Sequence, residues 1–99
     1  MADLLDLSRV DGFDWDAGNV QKNWDRHGVA FYECEEVFLQ EPVLAPDLEH
    51  SAKEPRYFAF GRTVQGRLLT VVFTMRRNKI RVVSARDMDR RERKRYVQI

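Results

Sequence analysis

Four arginines in the second half of the chain have the residue type and spacing needed to hold a phosphate group. These are Arg56, Arg62, Arg81 and Arg86. The planar guanidinium group binds phosphate through charge-assisted hydrogen bonds, often two at once, which are stronger than hydrogen bonds between neutral groups. Arginine is a poor proton acceptor, because its pKa exceeds about 12. A site built from arginines would therefore stabilise negative charge and need another group to move protons.

The distribution of charge along the chain favours a polyanionic partner. Residues 1–49 contain three basic and twelve acidic side chains, whereas residues 50–99 contain fourteen basic and four acidic ones. The net charge of +1 therefore combines −9 in the first half with +10 in the second. Because the basic half is predicted to form strands and a terminal helix, it can build a phosphate-attracting face.

Two phenylalanines lie between Arg56 and Arg62 on one face of a predicted strand. Alternation places Phe58 and Phe60 on the same side as both arginines. Basic residues interleaved with aromatic rings suit a track for single-stranded RNA, because bases stack on the rings. Packing of the two rings in the core is the alternative. Further RNA-binding candidates, whose alternative is a solvated surface, are Lys22, Lys79, Arg90 and Arg93.

Two residues are candidates for moving protons. His27 carries an imidazole, which titrates near neutral pH, but in the last turn of a predicted helix it could instead stabilise the helix dipole. Tyr96 lies in a basic segment, where clustered cations favour the ionised form of a phenol; packing against the sheet is its alternative. Glu54, next to Arg56, could accept a proton or form a local ion pair.

No metal site and no cofactor are predicted. Residues 13–16 alternate apolar and polar, which predicts a short strand with Asp14 and Asp16 on one face. No third ligand is near, so helix capping and solvation are favoured over magnesium binding. Cys34 and His50 lack partners at the spacing of zinc ligands. The single cysteine cannot form an internal disulfide, and the N-terminus lacks a basic region leading into an apolar stretch, so a cytoplasmic protein is expected.

The first half of the chain is predicted to contain two helices. Asp16 can cap the first, Gly28 can end it, and its face with Lys22 is expected to be solvated. The second begins near Phe31 and cannot run far past Pro42. An apolar stripe in the first helix is expected to face the core, and its members are Ala17, Val20, Trp24 and His27.

The second half is predicted to form an antiparallel meander of three strands, over residues 56–63, 67–75 and 79–86. Residues 41–55, with three prolines, are expected to be mostly irregular. Strict alternation places Arg81 and Arg86 on opposite faces of the last strand. Asp89 and Glu92 have capping-box spacing and open a C-terminal helix.

Alternation also divides the middle strand into two faces. Leu69, Val71, Phe73 and Met75 form an apolar face, which the helices should cover. The opposite face is mixed and can stay open, as antiparallel sheets allow. The predicted class is α+β, a mainly antiparallel sheet with two N-terminal helices packed on one face and a C-terminal helix beside it.

The ordered set of motifs over residues 13–97 resembles the BrnT toxins of bacterial type II toxin–antitoxin pairs. The matching segments are Phe13-x-Trp15-Asp16, Gly18-Asn19-x-x-Lys22-Asn23-x-x-x-His27-Gly28-Val29, Glu35-Glu36-Val37-Phe38, Glu54-x-Arg56, Gly61, Val72-Phe73-Thr74, Ile80-Arg81-Val82-Val83-Ser84-Ala85-Arg86 and Glu92-x-x-x-Tyr96. Residues 1–12 then form an N-terminal extension, which is either a weakly anchored leader or a short helix, and residues 13–99 form the toxin domain.

The resemblance implies a RelE-like fold and a metal-independent ribonuclease that inhibits translation, with possible action at the ribosome. It also implies a BrnA-type antitoxin that neutralises the toxin and forms a hetero-oligomer that binds operator DNA. RelE-like enzymes often use a C-terminal tyrosine in acid–base catalysis, which is the role this implies for Tyr96. Two alternatives need no catalysis: a module that only binds nucleic acid, and a domain whose basic face binds an acidic protein.

Overall fold

The computed structural model describes residues 7–98 as a four-stranded antiparallel sheet with three α-helices. The strands are β1 (Val43–Pro46), β2 (Tyr57–Arg62), β3 (Leu68–Arg76) and β4 (Lys79–Asp87), and they pair in sequence order. The helices are α1 (Ala17–His27), α2 (Phe31–Leu39) and α3 (Arg90–Val97), and short 3-10 turns cover Leu7–Arg9 and Leu48–His50. The predicted α+β class is confirmed. No helix among the described residues is long and apolar enough to cross a membrane.

The core lies on the sheet face predicted to be apolar. Leu69, Val71 and Phe73 of β3 are fully buried there, while Met75 packs against the core at its margin. Helix α2 covers this face, and its approach is close: a Cβ at Gly61 would lie 2.9 Å from a methyl group of Val37. The opposite face, which we call the open face, carries the candidate site residues, although Thr70 and Thr74 of β3 are buried there beneath Glu92 and Pro55.

The expected irregular segment contains a strand that sequence reasoning missed. Residues 43–46 form β1, and Val43 pairs with Phe60 while Pro46 pairs with Tyr57. The sheet therefore has four strands and not three. A proline lacks a backbone donor, but a strand at the sheet margin has one unpaired side, where a proline is tolerated. The three prolines of residues 41–55 therefore do not exclude a strand, although the prediction of an irregular segment rested on them.

The N-terminal segment is attached to the sheet from residue 7 onward. Leu7 and Val10 pack against the core, and the amide of Asp11 donates to the carbonyl of Asn78 at 2.9 Å. The predicted strand at residues 13–16 is reduced to one parallel bridge between Phe13 and Ile80. Residues 1–6 lie outside the described part of the chain, so the predicted extension and domain boundary stay predictions.

The predicted apolar stripe of α1 is wrong. Trp24 is 56% exposed, His27 and Ala17 are exposed as well, and Asn23 is the buried residue of this helix. Lys22, expected to be solvated, is half-buried. The reason is that α1 lies along the outer edge of β4, where unpaired backbone groups need hydrogen-bond partners. Polar side chains satisfy those groups, whereas an apolar stripe would leave them unpaired.

Three side chains of α1 bind the backbone of β4. The amide of Asn19 donates to the carbonyl of Val82, and the ammonium of Lys22 donates to the carbonyl of Val83 at 2.9 Å. The side-chain oxygen of Asn23 accepts from the amide of Ala85 at 3.3 Å. Helix α1 therefore closes the edge of the sheet and fixes its own position against β4.

A β-bulge in β4 overturns the prediction that Arg81 and Arg86 point to opposite faces. Val72 pairs with Ser84 and Phe73 pairs with Val82, so Val83 is an extra residue with no partner on β3. One extra residue shifts the alternation by one. Arg81 then pairs with Thr74 and Arg86 with Thr70, and both arginines lie on the open face.

Candidate active site

A hollow of about 350 Å³ lies on the open face, where β3 and β4 meet the N-terminal part of α1. We call it the basic hollow, and its charged lining residues are Asp16, Lys22, Glu54, Arg56, Arg76 and Arg81. Four cations and two carboxylates thus face one space. The arrangement can bind an anion, and its carboxylates can accept a proton from a bound hydroxyl.

Arg81 is held in the basic hollow by two aspartates. Its guanidinium lies 2.5 Å from a carboxylate oxygen of Asp16 and 3.5 Å from one of Asp14. The hydrogen bond from Arg81 lowers the pKa of Asp16 below its usual range, and the same bond raises the pKa of Arg81. Asp16 also caps α1 by accepting from the amide of Asn19 at 2.7 Å.

Asp14 and Asp16 therefore act as ion-pair and capping groups in this structure. Among residues 7–98 there is no group of three or more His, Cys, Asp or Glu side chains that could hold a metal ion. His50 contacts Asp47 at 3.1 Å, and Cys34 is buried in the core. Burial raises the pKa of the Cys34 thiol to about 12, which makes this thiol unreactive.

A threonine positions Glu54 and Arg56 beside Arg81. The hydroxyl of Thr74 donates to the carbonyl of Pro55 at 2.7 Å, and Thr74 is the cross-strand partner of Arg81. The segment around Pro55 is thereby attached to the open face. One carboxylate oxygen of Glu54 accepts from Arg76 at 3.1 Å, and the other has no partner among the described residues. The alternative of a local ion pair for Glu54 is observed, with Arg76 as the partner and not Arg56.

Arg86 forms a structural ion pair outside the basic hollow. Its guanidinium donates two hydrogen bonds to Glu92, at 2.7 and 2.9 Å, and the hydroxyl of Thr70 also donates to Glu92 at 2.9 Å. The predicted capping box is present, since Asp89 accepts from the amide of Glu92 and Glu92 accepts from the amide of Asp89. The pair with Arg86 therefore fixes the start of α3 on the open face.

Replacing Glu92 with glutamine is expected to lower the free energy of unfolding by about 1–2 kcal/mol at pH 7, because charge-assisted bonds to Arg86 are lost. The hydrogen bonds from Arg86 lower the pKa of Glu92 from 4.5 to about 2. The ionised carboxylate thus stabilises the fold fully above pH 4.5, and this contribution is lost as the pH falls towards 2.

Urea denaturation of both proteins between pH 7 and pH 2 measures this effect. The difference between wild type and variant should shrink as the pH falls below 4.5. Glu49→Gln, an exposed glutamate in the second 3-10 turn, is the matched control and should follow the wild type. A constant difference at every pH would contradict the role of the Glu92 charge.

A second hollow, of about 430 Å³, lies on the same open face between β1, β2 and α3. We call it the aromatic groove; its lining includes Phe58, Phe60, Arg91, Arg95 and Tyr96. The rings of Phe58 and Phe60 stack at 5.6 Å with an angle of 24° between their planes. Both pair with residues of the open face, Val72 and Thr70, so they are not part of the core. Tyr96 lines this groove and not the basic hollow.

The remaining predicted residues lie outside both hollows. Arg62 is exposed at the far end of β2, and Lys79 is exposed beside the turn between β3 and β4. His27 is exposed at the end of α1, and its carbonyl accepts from Arg67 at 3.2 Å. On α3, Arg90 is exposed and Arg93 donates to the carbonyl of Met88. The roles predicted for these residues stay predictions.

Sequence reasoning did not identify Asn19, Asn23 and Arg76 as candidates for the site. The two asparagines are four residues apart and lie on one face of α1, which is a signal for a polar contact surface. Arg76 and Thr74 are two residues apart on β3, so alternation alone predicts that Arg76 lies on the open face.

The structure defines a small α+β protein whose antiparallel sheet is covered by helix α2 on one face and carries a hollow lined by four cationic side chains on the other. The sequence profile of the ribonuclease toxin BrnT, of type II toxin–antitoxin systems, matches residues 15–92. The chain therefore belongs to the BrnT family of ribonuclease toxins. RNA is the substrate and an antitoxin is the partner that membership of this family implies.

The fold is also similar to a solved structure. The 1.1 Å crystal structure of the Brucella abortus ribonuclease toxin BrnT aligns with a TM-score of 0.58 and 21% sequence identity. The alignment covers 80% of this chain and 97% of the Brucella protein. At this identity the comparison supports the fold alone. No curated protein sequence matches the chain.

Proposed function

We propose that this chain is a metal-independent endoribonuclease that cleaves messenger RNA at the basic hollow and thereby inhibits translation, as a RelE-like interferase. The observation that carries the proposal is that Arg56, Arg81 and Lys22 share one open hollow with the carboxylate of Glu54. This places cations for a phosphate next to an acceptor for a proton.

The proposed reaction uses the 2′-hydroxyl of the substrate as the nucleophile. Its oxygen forms a bond to phosphorus, and the bond from phosphorus to the 5′-oxygen breaks. Glu54 accepts the proton of the 2′-hydroxyl, and the departing 5′-oxygen takes a proton from water, which the open hollow admits. Arg56 and Arg81 stabilise the charge that develops on the phosphate oxygens. The products carry a 2′,3′-cyclic phosphate and a 5′-hydroxyl.

Glu54 is the proposed proton acceptor because the other candidates are less suitable. Asp16 is in the hollow, but the bond from Arg81 lowers its pKa, which makes it a weak base. His27 and Tyr96, the candidates from sequence, do not line the basic hollow. Glu54 has one carboxylate oxygen with no partner among the described residues.

We further propose a BrnA-type antitoxin as the neutralising partner, in a hetero-oligomer that binds operator DNA. Because messenger RNA is the proposed substrate, we also propose a cytoplasmic location and action at the ribosome. Membership of the BrnT family supports these proposals.

Cleavage of RNA in the presence of EDTA tests the reaction. Purified protein is expected to cut single-stranded RNA at an unchanged rate with EDTA or with added magnesium, and to leave 2′,3′-cyclic phosphate ends. Cleavage that stops with EDTA would contradict metal independence. Binding of RNA without any cleavage would instead favour the non-catalytic binding module.

A further inference from the structure

We infer that the aromatic groove is a nucleobase subsite, which binds a base of single-stranded RNA next to the phosphate in the basic hollow. This inference rests on the proposed function and extends it. It assigns to Phe58, Phe60 and Tyr96 the recognition of an unpaired base, and to Arg91 and Arg95 the binding of the backbone beside it.

The groove has the shape and lining that a base requires. Its volume of about 430 Å³ lies in the range of about 300–1,000 Å³ found for small-ligand sites. Phe58 and Phe60 are only half-buried although they stack on each other, so part of each ring stays accessible. Val43 and Ala45 of β1 are the cross-strand partners of Phe60 and Phe58, and together with Pro46 they extend the apolar lining beside the two rings. A flat aromatic heterocycle can stack in such a space without a specific hydrogen bond.

The charges at the groove favour a nucleic acid over an uncharged apolar ligand. Arg91 and Arg95 line the groove, are exposed, and form no ion pair within residues 7–98. Glu92 also lines the groove, but its carboxylate is paired with Arg86. Two unpaired cations beside stacked rings match the combination of phosphate and base that a single strand presents.

The two hollows are adjacent along β2. Arg56 lines the basic hollow and Phe58 lines the aromatic groove, and the two residues are one alternation apart on the open face. Two residues of an extended strand span about 7 Å, which is comparable to the length of one nucleotide. A strand with its scissile phosphate at Arg56 and Arg81 would therefore place a neighbouring base over Phe58. Paired bases are stacked within a duplex, so the groove should discriminate against double-stranded RNA.

Binding of a labelled 2′-O-methyl RNA of about eight nucleotides tests the inference. This probe lacks the free 2′-hydroxyl and cannot be cleaved by the proposed reaction. Phe58→Leu and Phe60→Leu are each expected to raise Kd by about 5- to 150-fold, as stacking energies of single bases imply. Phe31→Leu, an exposed aromatic residue on α2, is the matched control and should not change Kd. The double variant of Arg91 and Arg95 to alanine should reduce the salt dependence of log K by about 0.7 per arginine.

A second arm uses only the wild-type protein and does not depend on the folding of variants. A probe with abasic positions should bind more weakly than the intact probe by a similar factor, and a duplex should bind more weakly too. Equal affinity for intact and abasic probes would overturn the subsite while leaving cleavage, and so the proposed function, in place. Unchanged RNA binding by the phenylalanine variants, with loss of antitoxin binding, would overturn it and assign the groove to the partner protein. Failure of the wild type to bind or cleave any RNA would overturn both proposals.

Discussion

Replacing Arg81 with alanine is expected to reduce RNA cleavage by about 10²- to 10³-fold, the usual effect of removing one preorganised donor from a charged transition state. Arg81 lies in the basic hollow with a side chain that is 23% exposed, and the aspartates on one side of it fix its position. Single-turnover cleavage of a defined RNA measures the loss. Arg81→Lys should recover only part of the activity, because lysine keeps the charge and lacks the planar fork.

Two further variants separate catalysis from folding. Asp16→Asn breaks the ion pair with Arg81 and keeps an acceptor oxygen for the cap of α1, while Asp14 still contacts Arg81, so this variant should retain cleavage and bind RNA more tightly. If Asp16→Asn lost as much activity as Arg81→Ala, the role of Arg81 would be structural. Arg26→Ala, an exposed arginine at the end of α1, is the matched control and should cleave like the wild type.

Replacing Glu54 with glutamine is expected to lower kcat by about 10²-fold, the lower end of the contribution of a general base. Glutamine has nearly the same shape and can still contact Arg76, but it cannot accept a proton from the 2′-hydroxyl. KM should change little, because the phosphate-binding cations are unaffected. Steady-state cleavage of a short RNA by Glu54→Gln and wild type gives both constants.

The contact between Glu54 and Arg76 requires its own control. Arg76→Gln removes this ion pair and one cation of the hollow, so it should raise KM more than it lowers kcat. Equal losses of kcat in Arg76→Gln and Glu54→Gln would show that Glu54 only positions Arg76. Glu49→Gln, outside both hollows, should have wild-type constants.

The parts of the fold that follow from local patterns were predictable. The apolar face of β3, the end of α1 at Gly28 and the capping box of α3 are each set by residues close together in sequence. The convergence of Arg56 and Arg81 could also be predicted in part, because alternation along β2 and β4, the strands on either side of β3, is compatible with both residues on the open face.

The features that were predicted wrongly depend on hydrogen bonds between residues far apart in the sequence. The local sign of the bulge is the doubled Val82-Val83, where the apolar positions of β4 change from even to odd numbers, but the extra residue is stabilised from outside the strand by Lys22 of α1. The polar contact face of α1 has the same cause, because it exists only where β4 presents unpaired backbone groups. Strand β1 forms although its segment is rich in proline, because each of its residues has a pairing partner on β2.

The closed edge of β4 restricts how another chain can join this protein. Backbone groups of Ile80, Val82, Val83 and Ala85 already bind residues 12–23, so an incoming strand would have to displace α1 before it could extend the sheet there. Within residues 7–98, the outer side of β1 pairs with no strand. An antitoxin that binds by β-augmentation, or a second copy that starts a fibril, must therefore approach at β1, where Pro46 offers no amide and limits the length of the match.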